Sequence, residues 1–150
     1  MINLVRTLQH DKISVYTLAR KAKEHRFYGW QRFEDLEYDR ELVRQLSAIV
    51  EAVLLGLPTP YIGGFQQNNG EIEFITSTRI ITALIGFMEN RFALTDMRVA
   101  TDYEGKRYSD IEPILQNRLD DHEISYYYIL ESKVDDDTKT MFVDMMEQVI

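Results

Sequence analysis

The stretch EIEFITSTRIITALIGF, residues 71–87, changes from a strand pattern to a helix pattern within a few residues. Alternating apolar residues over residues 71–75 predict a strand, and apolar residues at three- and four-residue steps from Ile80 onward predict a helix. The hydroxyl-bearing residues between them can cap the first free amides of that helix. We therefore predict a strand, a turn at Thr76 and Ser77, and a helix over residues 78–90.

A hairpin and a long helix precede this stretch. Asn68-Asn69-Gly70 separates the apolar run 61–66 from the strand 71–75, and Asn-Gly is typical of a tight hairpin turn. The pair Gly63-Gly64 lies inside the first run, which indicates a bulge or a close packing contact. Between Asp39 and Leu55 the apolar residues recur at three- and four-residue steps, so we predict a helix there with Asp39 as its N-cap.

Weaker patterns place the remaining elements. We predict a helix over residues 14–24, an extended segment over 27–33, a helix from a capping box at Ser109 to Leu119, a strand over 123–130 and a last helix after Asp135. Helices and strands mix without a regular alternation, which predicts an α+β fold, a small mixed sheet packed with helices. No linker is visible, so we predict one domain over residues 1–150.

Composition excludes several classes of protein. The 150 residues include no Cys, which excludes disulfides and thiolate metal sites and fits a cytoplasmic location. No apolar run is long enough to span a membrane, and His10, His25 and His122 lack a metal-binding spacing. The net charge of −8 comes from residues 101–150, where 13 acidic residues face 5 basic ones. That field disfavours direct binding to nucleic acid.

The predicted last helix carries a second pattern. Its apolar residues recur at helical spacing and are first interpreted as core: Met141, Phe142, Met145, Met146, Val149 and Ile150. The alternative is a methionine-rich docking face, because Met adapts to irregular partner surfaces. Acidic residues at the start of the helix favour its dipole and would attract a basic protein. The candidate partner-binding residues are therefore Asp135, Asp136, Asp137, Met141 and Met145.

Several segments, taken in order, resemble the N-terminal domain family of GmrSD-type modification-dependent restriction enzymes, which has a ParB/sulfiredoxin-like fold. Each segment is short, and their order over residues 14–146 carries the resemblance. The similar segments are Trp30-Gln31-Arg32, Leu55–Pro60, Ile81–Leu84 with Phe87, Phe92–Leu94, Glu104–Ile111 and Lys139–Met145.

The resemblance implies a site at the turn before Ile80. The family's signature there, Asp-Gly-Gln-Gln-Arg, is associated with nucleotide binding and hydrolysis, but residues 76–80 read Thr-Ser-Thr-Arg-Ile. No alignment register supplies the carboxylate that could orient water or a hydrated metal, and Glu73 would point to the opposite face of its strand. We therefore expect no catalytic residue and no cofactor. The resemblance implies a pseudoenzyme, a phage or mobile-element protein that binds and modulates a defence or nucleic-acid-processing complex.

Two alternatives stay open. Residual binding or hydrolysis of a nucleoside triphosphate with magnesium would use the turn and nearby arginines, since guanidinium groups suit phosphate. Its candidate ligand-binding residues are Gln31, Arg32, Ser77, Thr78 and Arg79. A structural protein that forms oligomers through the methionine-rich helix is the other alternative.

Overall fold

The computed structural model of the chain describes residues 8–148, which form five strands and five α-helices. The strands are β1 Leu8–Ser14, β2 Phe27–Tyr28, β3 Ile62–Gln66, β4 Ile72–Thr76 and β5 Glu123–Leu130. The helices are α1 Val15–Lys23, α2 Arg40–Leu54, α3 Arg79–Met88, α4 Pro113–Asp121 and α5 Asp136–Gln148. The predicted α+β class is confirmed. Backbone contacts group the chain into two compact units, and the single domain predicted over residues 1–150 stays a prediction.

The first unit contains the sheet with α1 and α5. Strand order is β1-β5-β3-β4-β2, with β1/β5 and β3/β4 antiparallel and β5/β3 and β4/β2 parallel. Aromatic rings fill part of its core: the Phe74 ring centroid lies 5.4 Å from that of Phe27 and 5.2 Å from that of Tyr126. Val15 and Leu18 of α1 are fully buried as well.

The predicted hairpin is confirmed. Its strands are β3 and β4, and Gly70 adopts the positive φ of 89° that the tight turn needs. The register shifts between Gly63 and Gly64, as the glycine pair indicated. A Cβ at Gly63 would lie 2.8 Å from Met146 Cγ, so the missing side chain lets α5 approach β3 closely.

The second unit contains α2, α3 and α4. Asp39 caps α2, as predicted, by accepting a hydrogen bond from the Glu41 N–H at 3.0 Å. The guanidinium of Arg118 on α4 donates to the main-chain oxygen of Leu54 at 2.6 Å, which satisfies a free carbonyl at the end of α2. The fully buried side chains of this unit include Leu46, Val50, Ile81, Leu84, Phe87, Leu94 and Leu119.

Two predicted elements are wrong in their bounds. The extended segment over residues 27–33 is a strand only to Tyr28, because Gly29 has φ +111° and a Cβ there would overlap the carbonyl oxygen of Phe74. The capping box at Ser109 does not open a helix: Ser109 lies in a 3-10 turn and α4 begins at Pro113. Proline is favoured at the first helical position, since its ring fixes φ and its missing N–H would be unpaired there.

The core interpretation of the last helix is wrong for two of its methionines. Met146 is buried, whereas the side chains of Met141 and Met145 remain 67% and 59% exposed. Val149 and Ile150 lie outside the described residues. Strand β1 is an element that the sequence patterns did not predict.

Candidate functional site

The turn after β4 uses its hydroxyl groups in different ways. Thr76 is buried, and its Oγ1 accepts a hydrogen bond from the Gly63 N–H at 2.9 Å, so this hydroxyl joins the two strands of the hairpin. Ser77 has φ +57°, and its Oγ is buried without a hydrogen-bond partner among residues 8–148. Both residues, with the half-buried Thr78, belong to the first unit.

The other three candidate ligand residues belong to the second unit. The main-chain oxygen of Gln31 accepts a hydrogen bond from the Thr82 hydroxyl at 2.6 Å. Arg32 directs its Nε toward the carboxylates of Asp35, at 3.3 Å, and Glu34, at 3.8 Å. The Arg32 guanidinium is therefore already paired with carboxylates of its own chain, although its side chain is exposed.

Arg79, at the start of α3, lies in a shallow cleft of about 550 Å³. Its Nη1 donates to the Gln45 side-chain oxygen on α2 at 3.1 Å. The cleft is lined by Leu36, Glu37, Tyr38, Asp39, Glu41, Leu42, Gln45 and Arg79. Glu37, Asp39 and Glu41 line the cleft together with Arg79, so a bound phosphate would meet more negative than positive charge in this lining.

A second feature of this unit was not predicted from the sequence. Glu51, on the buried side of α2, accepts hydrogen bonds from three consecutive backbone N–H groups: Arg98 at 3.0 Å, Val99 at 2.9 Å and Ala100 at 2.8 Å. Burial by itself raises the pKa of this carboxyl, but the three N–H groups outweigh it and hold the pKa below its ordinary value.

The three residues before Arg98 are held in the same way. Ser47 Oγ accepts from the Thr95 N–H at 3.0 Å, and Glu104 accepts from the N–H groups of Asp96 and Met97, both at 2.9 Å. All six backbone N–H groups from residue 95 to residue 100 therefore donate hydrogen bonds to side-chain oxygens. One sequence feature could have indicated this arrangement: the polar residues Ser47 and Glu51 lie one helical turn apart, beside the apolar stripe of α2.

Helix α5 has one packed side and one exposed side. Met146 lies over Gly63, and the Phe142 ring centroid is 5.8 Å from that of Phe65, so both pack on β3. Asp135 caps the helix by accepting from the Thr138 N–H at 2.7 Å. This hydrogen bond, with that of the Thr138 hydroxyl, lowers the pKa of Asp135. The exposed residues are Asp136, Asp137, Thr140, Met141, Asp144, Met145 and Glu147.

The charges on α5 are mostly of one sign. Within residues 136–148 four acidic side chains accompany one basic one, a net charge of −3. The basic residue is Lys139, whose Nζ lies 3.4 Å from Glu131 Oε1 and 3.8 Å from Asp136 Oδ1. Lys139 is only 26% exposed, so the exposed side of α5 presents carboxylates next to methionines.

Residues 8–148 contain neither a membrane-spanning helix nor a cluster of metal-binding side chains. None of the helices in this range has the length and apolar content needed to cross a lipid bilayer. The same range holds no group of three or more His, Asp or Glu side chains arranged to bind a metal ion.

Comparison with known proteins adds no relative. No protein-family model matches the chain, and neither the curated proteins nor the solved structures contain a match. The resemblance to the GmrSD-type N-terminal domains, and its ParB/sulfiredoxin-like fold, therefore stay predictions.

Proposed function

We propose that this chain is a non-catalytic module that binds another protein through the exposed side of α5. We define this docking face by the residues Asp136, Asp137, Met141, Asp144 and Met145. The observation that carries the proposal is the exposure of two methionines on a helix whose neighbouring Met146 is buried. Contiguous exposed apolar surface that is rimmed by polar residues is typical of interaction sites, and Met suits partners of irregular shape.

The arginines that the resemblance assigns to phosphate support a non-catalytic role. Arg32 is paired with Glu34 and Asp35, and Arg79 is hydrogen-bonded to Gln45 in an acidic cleft. A phosphate would have to displace two carboxylates from Arg32, and at Arg79 it would meet the acidic lining of the cleft. Following the resemblance, we propose that the protein acts in the cytoplasm as a phage or mobile-element product that modulates a defence or nucleic-acid-processing complex.

Crosslinking tests the proposal directly. A photoreactive amino acid replaces Met141 in the full chain, and the same replacement at Ile114, an apolar residue 71% exposed on α4, serves as the matched control. We expect ultraviolet irradiation in host lysate to join a defined protein to position 141 and not to position 114. Equal labelling from both positions, or labelling from neither, would contradict the proposal.

Reversing the charge of two aspartates provides a second test of the docking face. Asp136→Lys with Asp137→Lys leaves the cap at Asp135 intact, although it places lysines at the positive end of the helix dipole. We expect these two changes to abolish the crosslink at position 141, since they place positive charge at one end of the docking face. Circular dichroism of the variant checks that its helix content is unchanged.

Nucleotide binding is the competing function, and one observation favours it. The Oγ of Ser77 is buried without a partner among residues 8–148, and a ligand atom or an ion that reached this turn would supply the hydrogen bond that the hydroxyl lacks. Isothermal titration with ATP and GTP in the presence of magnesium separates the two functions. We expect no binding below millimolar concentration; turnover that Arg79→Ala abolishes would overturn the non-catalytic proposal.

A further inference from the structure

The arrangement of the docking face on α5 indicates which kind of partner it fits. At 100° per residue, Asp137, Met141, Asp144 and Met145 fall within an arc of about 100° on the exposed side of the helix. The two methionines lie at one border of this arc and the two aspartates at the other. Over its 13 residues α5 is about 20 Å long, enough to hold a partner helix of three to four turns.

Charge decides between the possible occupants. A second copy of this chain would bring its own aspartates against the same arc, and like charges in contact disfavour that pairing. A nucleic acid would meet the same repulsion from its phosphates. A basic helix gains instead, because its Lys or Arg residues reach Asp137 and Asp144 while its apolar stripe covers Met141 and Met145.

We propose that the partner contributes a Lys- or Arg-rich amphipathic helix, which lays its apolar stripe on the two methionines and its basic border on the two aspartates. The inference rests on the proposed function and adds the chemistry of the partner to it. The methionines supply apolar contact area, and the aspartates favour a partner helix of positive charge.

A designed peptide tests this inference. The probe is a fluorescein-labelled amphipathic helix of Leu and Lys, about 14 residues long, which matches the length of α5. Two further probes are the same composition in scrambled order and the corresponding Leu/Glu helix. We expect the fluorescence anisotropy of the ordered Leu/Lys helix to show micromolar binding to the full chain. Weaker binding by at least about tenfold is expected for both other probes, since each loses one of the two kinds of contact.

Variants of the docking face distinguish specific docking from general attraction to an acidic protein. Met141→Ser with Met145→Ser should weaken binding of the ordered peptide about tenfold, whereas Ile114→Ser, similarly exposed on α4, should leave it unchanged. Asp137→Lys with Asp144→Lys should transfer the preference to the Leu/Glu helix. Asp102→Lys, at an exposed acid outside α5, is the matched control.

The outcomes separate this inference from the proposed function. Binding that the scrambled peptide reproduces, or that the methionine variants do not weaken, overturns the basic-helix inference. A crosslink at position 141 to a partner segment without an excess of Lys and Arg also overturns it, while the protein-binding function stands. Sedimentation that shows a dimer dissociated by Met145→Ser would make a second copy the occupant and would overturn both the inference and its charge argument.

Discussion

The hydrogen bonds of Glu51 predict a large effect from a single change of one atom. In Glu51→Gln the side chain keeps its size but loses its charge, and an NH₂ group faces backbone donors. The carboxylate accepts from the N–H groups of Arg98, Val99 and Ala100 at 2.8 to 3.0 Å. Hydrogen bonds to a charged group each contribute about 1.5–3 kcal/mol, and a buried donor left unpaired costs about 1–3 kcal/mol.

The net loss is smaller than the sum of three such bonds. Gln retains one oxygen that can accept from one or two of the amides, and removing the charge also removes the desolvation cost of a buried carboxylate. We therefore expect Glu51→Gln to lower the free energy of unfolding by about 3 kcal/mol. For a chain of this length that corresponds to a fall in Tm of about 6–12 °C, measured by circular dichroism or calorimetry.

At acidic pH the difference in Tm between the wild type and Glu51→Gln should become smaller. The pKa of Glu51 is lower in the folded chain than its ordinary value of 4.5, so the carboxylate stabilises the fold fully above pH 4.5. Its contribution is lost as the pH falls below that value and through the folded pKa. The gap in Tm should narrow accordingly, since the protonated Glu51 of the wild type and the amide of the variant both lack the charge.

The matched control lies on the same helix. Glu41→Gln makes the same chemical change at an exposed carboxylate, which is paired with Arg44 at 2.6 Å. Exposed ion pairs contribute little to stability, so this variant should lose much less in Tm than Glu51→Gln. A Glu51→Gln variant that is no less stable than Glu41→Gln would refute the assignment of the loop's stability to the buried carboxylate.

Three further predictions concern single residues. Burial, followed by the hydrogen bond to Asp120 at 2.9 Å, raises the pKa of Tyr108 to about 12. Burial also raises the pKa of Tyr126, so ultraviolet titrations of the wild type and of Asp120→Asn are compared, and the variant should show one phenol that ionises at lower pH. Stability should fall as the pH rises above 10, because these phenols ionise first in the unfolded chain. Ser77→Gly should raise the free energy of unfolding by about 1 kcal/mol in urea denaturation, because it relieves a positive φ and removes a buried hydroxyl without a partner among residues 8–148; a loss of stability would show that the hydroxyl has a structural role. Gly63→Ala should lower the free energy of unfolding by about 1–3 kcal/mol, since the new methyl meets Met146 at 2.8 Å. In a Met146→Ala background the same change at Gly63 should cost less.

The sequence correctly predicted the elements that neighbouring residues determine, such as helix caps and tight turns. Asp39 caps α2 and Asp135 caps α5, and Gly70 forms the hairpin turn, because a carboxylate next to free amides and a residue without Cβ act within a few positions of themselves. Strand β5 likewise has the predicted bounds, since its apolar and aromatic residues extend with little interruption from residue 124 to residue 130.

Elements that depend on distant residues could not be predicted in this way. Residues 8–12 of β1 are exposed and show no alternation, and the segment is a strand because it pairs with β5 more than a hundred positions along the chain. Strand β2 ends early because Gly29 passes close to the backbone of Phe74. The carboxylate of Glu51 finds its amides 47 to 49 positions away, so a helix pattern alone does not identify its role.

The exposure of Met141 and Met145 follows from where the acidic residues stand on α5. The helix is held in place by Met146, which occupies the space left by the missing side chain of Gly63. A rotation that buried Met141 and Met145 instead would also carry Asp137 inward, because Asp137 is separated from Met141 by only about 40° around the helix. Burying that carboxylate without a partner would cost several kcal/mol, more than two partly buried methionines return. That rotation is therefore disfavoured, and in the observed orientation two methionines and two aspartates stay exposed on the same side of α5.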